Sequence, residues 1–119
     1  MDDQTVALNS EILEAPAADG PLQLPAELTI YTVGELHPQW NSWVKTVLAG
    51  KAGDVVLVHG DAVTEVDAAG LQLLISLQRS LSVAGRNLSI VQPSHALRTA
   101  CAALGLLDWL NTHSPKDSS

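Results

Sequence analysis

The sequence predicts a single α/β domain in which helices pack on a mixed sheet of four to five strands. Three observations favour this class. Residues 55–58 and 88–91 are short apolar runs bounded by turn residues, as is typical of strands covered on both faces. Apolar residues at helical spacing lie before, between and after these runs. The chain of 119 residues has room for one hydrophobic core and is too short for two domains.

The elements before the first buried strand are predicted from shorter patterns. Residues 22–24 and 28–33 are alternating or β-branched runs separated by Pro25, which indicates a hairpin or meander at a sheet edge. A helix is predicted from Pro38, since proline is favoured in a first helical turn, to Gly50. Its core-facing stripe consists of Trp40, Trp43, Val44, Val47 and Leu48.

Two more helices flank the second buried strand. One is predicted from Ala68 to about Ala84, and the other begins after Ser94, whose hydroxyl can cap it. The domain is expected to cover residues 21–111. Residues 1–20 are expected to form a mobile leader and residues 112–119 a frayed tail, because both ends lack apolar periodicity.

Charge, cysteine content and hydropathy limit the possible partners and the cellular location of the protein. The formal net charge of −7 would repel a nucleic acid backbone and an anionic membrane surface, which favours a protein partner. Cys101 is the only cysteine, so an intrachain disulfide is impossible and a reducing compartment is favoured. No apolar run reaches the ~18 residues of a membrane span. The first residues are acidic where a secretory signal would be basic, so we expect no secretory signal. We therefore expect a cytoplasmic protein without membrane insertion.

Catalytic patterns are absent from the sequence. His37, His59, His95 and His113 are scattered without metal-ligand spacing, so neither a metal nor another cofactor is expected. Cys101 lies on the apolar face of the third helix, where a core role is favoured. The sequence contains no nucleophile elbow and no glycine-rich phosphate loop. These features predict a protein that is not an enzyme.

The most informative stretch covers residues 63–74, around the start of the second helix. Asp67 is predicted to cap this helix by accepting backbone N–H bonds from Ala69 or Gly70. The first positions of a helix favour anions, so a hydroxyl at residue 68 or 69 would be well placed to carry a phosphate. Both positions are alanine, Ala68 and Ala69, and cannot be phosphorylated.

The second helix also predicts a surface beside this cap. On a helical wheel its sheet-facing arc consists of Leu73, Leu74, Leu77, Leu81 and Ala84. Leu71 and Ile75 fall on the border of that arc, where they could form either a small apolar ridge at the surface or the periphery of the core. With Thr64, Glu65 and Asp67 they make up the predicted partner-binding residues.

The chain resembles the STAS (sulfate transporter and anti-sigma antagonist) family over about residues 22–110. The resemblance is carried by residues 24–31, by residues 63–74 with their Asp67-x-x-Gly70 helix start, and by residues 85–94. The first two segments look most like bacterial stand-alone STAS proteins associated with chemotaxis and two-component signalling. His59 ends the central strand where many members have an acid.

The resemblance implies a partner-switching module. Such a module binds an anti-sigma factor that is also a serine kinase, and phosphorylation of a Ser or Thr after the Asp releases it. Ala68 and Ala69 stand where that acceptor is expected. We therefore predict a non-catalytic, phosphorylation-deficient module that docks on an anti-sigma factor, a serine kinase, or a chemotaxis-type histidine kinase or regulator.

Two alternatives remain open from the sequence. STAS-like chains also serve as cytoplasmic subunits of lipid-trafficking ABC transporters, and gene neighbours would separate that role from signalling. A nucleotide-binding domain is a more distant alternative.

Overall fold

The described part of the chain folds into five short strands and four helices. The computed structural model describes residues 21–50 and 53–115, so the predicted leader at residues 1–20 lies outside the described residues. The elements in chain order are β1 (Leu22–Gln23), β2 (Glu27–Leu28), α1 (Val33–Ala49), β3 (Val55–His59), β4 (Glu65–Val66), α2 (Ala68–Val83), β5 (Asn87–Val91), α3 (His95–Ala103) and α4 (Leu107–Thr112). The predicted α/β class is confirmed.

The strands form two small sheets. A three-stranded sheet has the order β1-β3-β5, with Leu22 opposite Val58 and Val58 opposite Ile90. A two-stranded sheet joins β2 to β4, with Leu28 opposite Val66. The predicted hairpin is wrong, because β1 and β2 pair with different, later strands. All strand pairs of the described residues are parallel rather than mixed, and the connection between the two strands of each pair contains a helix, as parallel pairing requires.

The hydrophobic core lies between the larger sheet and the helices. Along β3 and β5 alternate side chains are buried, including Val56, Val58 and Ile90. Val55 and Leu57 are exposed, so the prediction that both faces are covered is wrong for β3. Trp40 and Trp43 of α1 are buried in the same core cluster, as predicted. Cys101 of α3 is fully buried, and this burial raises the pKa of its thiol, so the predicted core role is confirmed.

The start of α1 differs from the prediction. The helix begins at Val33 rather than at Pro38, which lies inside it. Proline forfeits only the hydrogen bond to the carbonyl of Gly34, and both residues are exposed, so water can satisfy the freed oxygen. Residues 30–33, predicted as strand, instead form a turn and the first residue of the helix.

Helix α4 reaches one residue past position 111, the predicted end of the domain. Helix α4 continues to Thr112, and the carbonyl oxygen of His113 accepts a hydrogen bond from the Ile90 N–H of β5 at 2.6 Å. The structure thus describes residues 112–115 of the predicted tail, and residues 116–119 lie outside the described part. No helix in the described ranges has both the length and the apolar character needed to cross a bilayer.

Candidate protein-docking site

Asp67 joins two separate segments of the chain. Its Oδ1 accepts a hydrogen bond from the Gly70 N–H at 3.0 Å, which caps α2 as predicted. Its Oδ2 accepts a second bond from the Ile30 N–H, also at 3.0 Å. Ile30 lies in the turn between β2 and α1, so one carboxylate holds both the start of α2 and this turn.

Both bonds favour the ionised form of the side chain. The Gly70 N–H makes the largest contribution and the Ile30 N–H the next, and together they lower the pKa of Asp67 below its usual value of 3.8. Desolvation opposes this shift without reversing it. Asp67 is therefore a carboxylate at neutral pH, and both oxygens are engaged by backbone donors.

Asp67→Asn is expected to separate these two functions of the side chain. Asparagine retains one oxygen for the cap at Gly70, but its Nδ2 is a donor and cannot accept from Ile30. Ionised Asp67 stabilises the folded protein fully at pH values above 3.8, the ordinary pKa of this group. The stabilisation is lost as the pH falls through the lowered pKa that Asp67 has in the folded protein. Urea unfolding between about pH 2.5 and pH 7 measures the result. The free energy of unfolding of the wild type should exceed that of Asp67→Asn at neutral pH, and the difference should become smaller in acid.

Asp54→Asn is the matched control, since Asp54 is an exposed carboxylate outside this site. Its urea midpoint at neutral pH should equal the wild-type value. If Asp67→Asn followed the wild-type profile at every pH, the bond to Ile30 would carry no stability.

The two short strands bring these segments together. The carbonyl oxygen of Ala26 accepts from the N–H groups of Thr64 at 2.8 Å and Glu65 at 3.0 Å, and the carbonyl of Leu28 accepts from the Asp67 N–H at 3.2 Å. Because β2 and β4 are parallel, their carboxyl ends meet at one edge. The turn before α1 and the cap of α2 both begin there.

Gly70 permits the close approach of α2 to β2. A methyl group built on Gly70 would overlap the carbonyl oxygen of Leu28, and it would lie 2.5 Å from the carbonyl carbon and 2.9 Å from Cγ of the same residue. The spacing of Asp67 and Gly70 thus has a structural explanation within this chain. Asp67 caps the helix and holds the turn, while Gly70 lets the helix backbone contact the strand.

The turn at residues 29–32 presents two large apolar side chains to solvent. The hydroxyl of Thr29 donates to Glu27 Oε2 at 2.7 Å and accepts from the Tyr31 N–H at 3.2 Å. The Thr32 hydroxyl oxygen accepts from the Thr29 N–H at 3.0 Å. Ile30 and Tyr31, at the tip, are 59% and 85% exposed. Sequence reasoning missed them because a β-branched run resembles a strand; the threonines at each end, which form side-chain turns, were the available signal.

The predicted partner-binding residues are not all at the surface. Thr64 and Glu65 are exposed, and Asp67 and Ile75 are half-buried. Leu71 is only 1% exposed and belongs to the core cluster, so its interpretation as part of a surface ridge is wrong. Leu71, at the border of the sheet-facing arc, is buried because α2 packs on β2 as well as on the larger sheet. Ala68 is exposed and Ala69 half-buried.

We call the surface formed by Ile30, Tyr31, Thr64, Glu65 and Asp67 the Asp67 surface. The segments that build it are acidic, because the chain has no Lys or Arg in residues 21–44 or 53–78. The acids within it or close to it in the sequence are Glu27, Glu35, Asp61, Glu65 and Asp67. The surface therefore combines exposed apolar side chains with negative charge.

Comparison with known proteins identifies the family of this fold. The family model of the STAS domain matches residues 13–118, so the chain belongs to the STAS domain family. The match begins before β1, within the segment predicted as a leader. We found no match among curated proteins and none among solved structures. Membership of the family indicates a non-catalytic module that interacts with protein partners.

Proposed function

We propose that this protein is a cytoplasmic signalling module of the anti-sigma-antagonist type that docks on a regulator or kinase through the Asp67 surface. The observation that carries the proposal is the double hydrogen bonding of Asp67 to Gly70 and Ile30. This bonding orders two exposed segments at one edge of the fold. An ordered surface binds with a smaller loss of conformational entropy than a mobile one, which suits a recognition site.

A second feature of the proposal is constitutive binding. Ala68 and Ala69 follow the capping Asp67, and neither has a hydroxyl group to phosphorylate. A phosphate at this helix start would add negative charge to an already acidic surface. Without an acceptor, the module stays in its binding state when a serine kinase is present.

We predict that this protein takes up no phosphate between residues 64 and 70 when incubated with ATP and a serine-kinase anti-sigma factor. Phosphopeptide mapping measures the result. Ala68→Ser provides the positive control, because residue 68 is exposed and a phosphoserine there would lie at the helix N-terminus. Mapping of phosphate to Thr64 in the wild-type protein would contradict the prediction.

Docking is tested by affinity capture from the native cell with charge-reversed baits. Glu65→Lys changes an exposed acid of the Asp67 surface, and Asp54→Lys makes the same charge change at an exposed acid elsewhere. We expect the wild-type and Asp54→Lys baits to retain a kinase or regulator that Glu65→Lys loses. Circular dichroism should show all three baits folded.

The same capture separates the alternatives. Recovery of a permease and an ATPase would replace the signalling role with that of a lipid-transporter subunit. Equal recovery by the wild-type and Glu65→Lys baits would remove the Asp67 surface as the docking site.

A further inference from the structure

The adjacent side chains of Ile30 and Tyr31 are large, apolar and exposed, and their turn is ordered. A single exposed apolar residue is common and needs no explanation. These two are neighbours at the tip of a turn in which four consecutive N–H groups, those of residues 29–32, all find acceptors. Three of the acceptors are side-chain oxygens, those of Thr29, Thr32 and Asp67. The turn is therefore held in one conformation.

Such an arrangement has the properties of an interface anchor. Tyrosine supplies a large contact area at a low entropy cost, since it has only two side-chain torsions, and it is enriched among residues that dominate binding energy. The backbone of the turn is already ordered before binding, which lowers the cost further. No fold-stabilising role explains the exposed side chains, because 85% of Tyr31 is in contact with solvent.

The charge around the turn indicates the charge expected on the contact surface of the partner. Glu65 and Glu35 are exposed, and no Lys or Arg occurs in the segments that build this part of the surface. Positive charge on a partner that covers the turn would complement these carboxylates, whereas negative charge there would be costly, so we expect a basic partner surface.

We propose that Ile30 and Tyr31 form the apolar anchor of the Asp67 surface and insert into an apolar cleft, rimmed by Lys or Arg, on the protein partner. This inference rests on the proposed docking function and adds the anchoring residues and the chemistry of the partner. It differs from the sequence prediction, in which Leu71 and Ile75 supplied the apolar contact.

Site-specific photo-crosslinking in the native cell tests the proposal. A benzoylphenylalanine is placed in the full-length chain at position 31, at position 65 of the same surface, or at position 83, where Val83 is 90% exposed on α2. We expect one partner protein to crosslink at positions 31 and 65 and not at position 83. The crosslinked peptide from position 31 should contain apolar residues bordered by Lys or Arg.

The other outcomes separate the two proposals. A crosslink at position 65 without one at position 31 overturns the anchor and leaves the docking function intact. A crosslink from position 31 to an acidic or wholly polar site, or to a second copy of this chain, also overturns the anchor. If neither position 31 nor position 65 crosslinks, both proposals fail.

The crosslinked partner, once purified, allows the anchor to be measured. Tyr31→Ala should weaken its affinity by about 30-fold, as for a dominant interface residue, and Val83→Ala by less than about twofold. Tyr31→Phe should bind nearly as well as the wild type, because the anchor is apolar. Equal losses for Tyr31→Phe and Tyr31→Ala, with circular dichroism unchanged, would assign the contact to the hydroxyl and overturn the proposal.

Discussion

Gly70→Ala is expected to destabilise the protein by about 3 kcal/mol or more, or to prevent folding. The added methyl group would overlap the carbonyl oxygen of Leu28, a backbone atom that no side-chain rotation can move. Relief requires α2 to move away from β2, and that movement would strain the bond from the Asp67 N–H to the same carbonyl. A loss of this size is a large part of the 5 to 15 kcal/mol that typically stabilises a small domain.

Gly34→Ala is the matched control for this experiment. Gly34 lies in α1, and a methyl group built on it meets no heavy atom within 4 Å. Alanine is the better helix former, so this variant should be unchanged or more stable by up to about 1 kcal/mol. Urea unfolding of both variants gives the comparison. A Gly70→Ala midpoint equal to the wild-type value would show that α2 does not approach β2 as closely as described.

Leu71→Ala is expected to lower the free energy of unfolding by about 2 to 5 kcal/mol. Leu71 is 1% exposed within the core cluster, so truncation leaves a cavity and removes packing contacts. Leu71→Asp would place a carboxylate in the same apolar surroundings and should unfold the protein. Loss of partner binding by such a variant would therefore report unfolding and could not identify a docking residue.

Val83→Ala is the control on the same helix. Val83 is 90% exposed, so its truncation should change stability by less than about 0.5 kcal/mol. Thermal unfolding followed by circular dichroism separates the two variants. If Leu71→Ala were as stable as Val83→Ala, Leu71 would have to be interpreted as a surface residue.

Local features of this protein were predictable from its sequence. The positions of the strands at residues 55–59 and 87–91 follow from apolar runs, although β3 is buried on one face only. The caps of Asp67 and Ser94 follow from their places at helix starts. Each of these features depends on residues within a few positions of one another. Helical spacing likewise predicted the burial of Trp40 and Trp43.

Pairings between distant segments were not predictable in the same way. A β-branched run such as residues 28–33 favours a strand by its own propensity, yet the hydrogen bonds of Thr29 and Thr32 close it into a turn. The helical wheel placed Leu71 at a border, and only the packing of α2 on β2 decided that it is buried.

By itself, the sequence determined the α/β class, the resemblance to the STAS family, the capping role of Asp67 and the lack of hydroxyl groups at Ala68 and Ala69. The tertiary structure alone decided that Asp67 also holds Ile30, 37 positions away in the chain, and that Ile30 and Tyr31 face solvent. The reason is the range of the interactions. A helix cap forms between neighbours, whereas this docking surface exists only after β2 and β4 have paired and brought two distant segments to one edge.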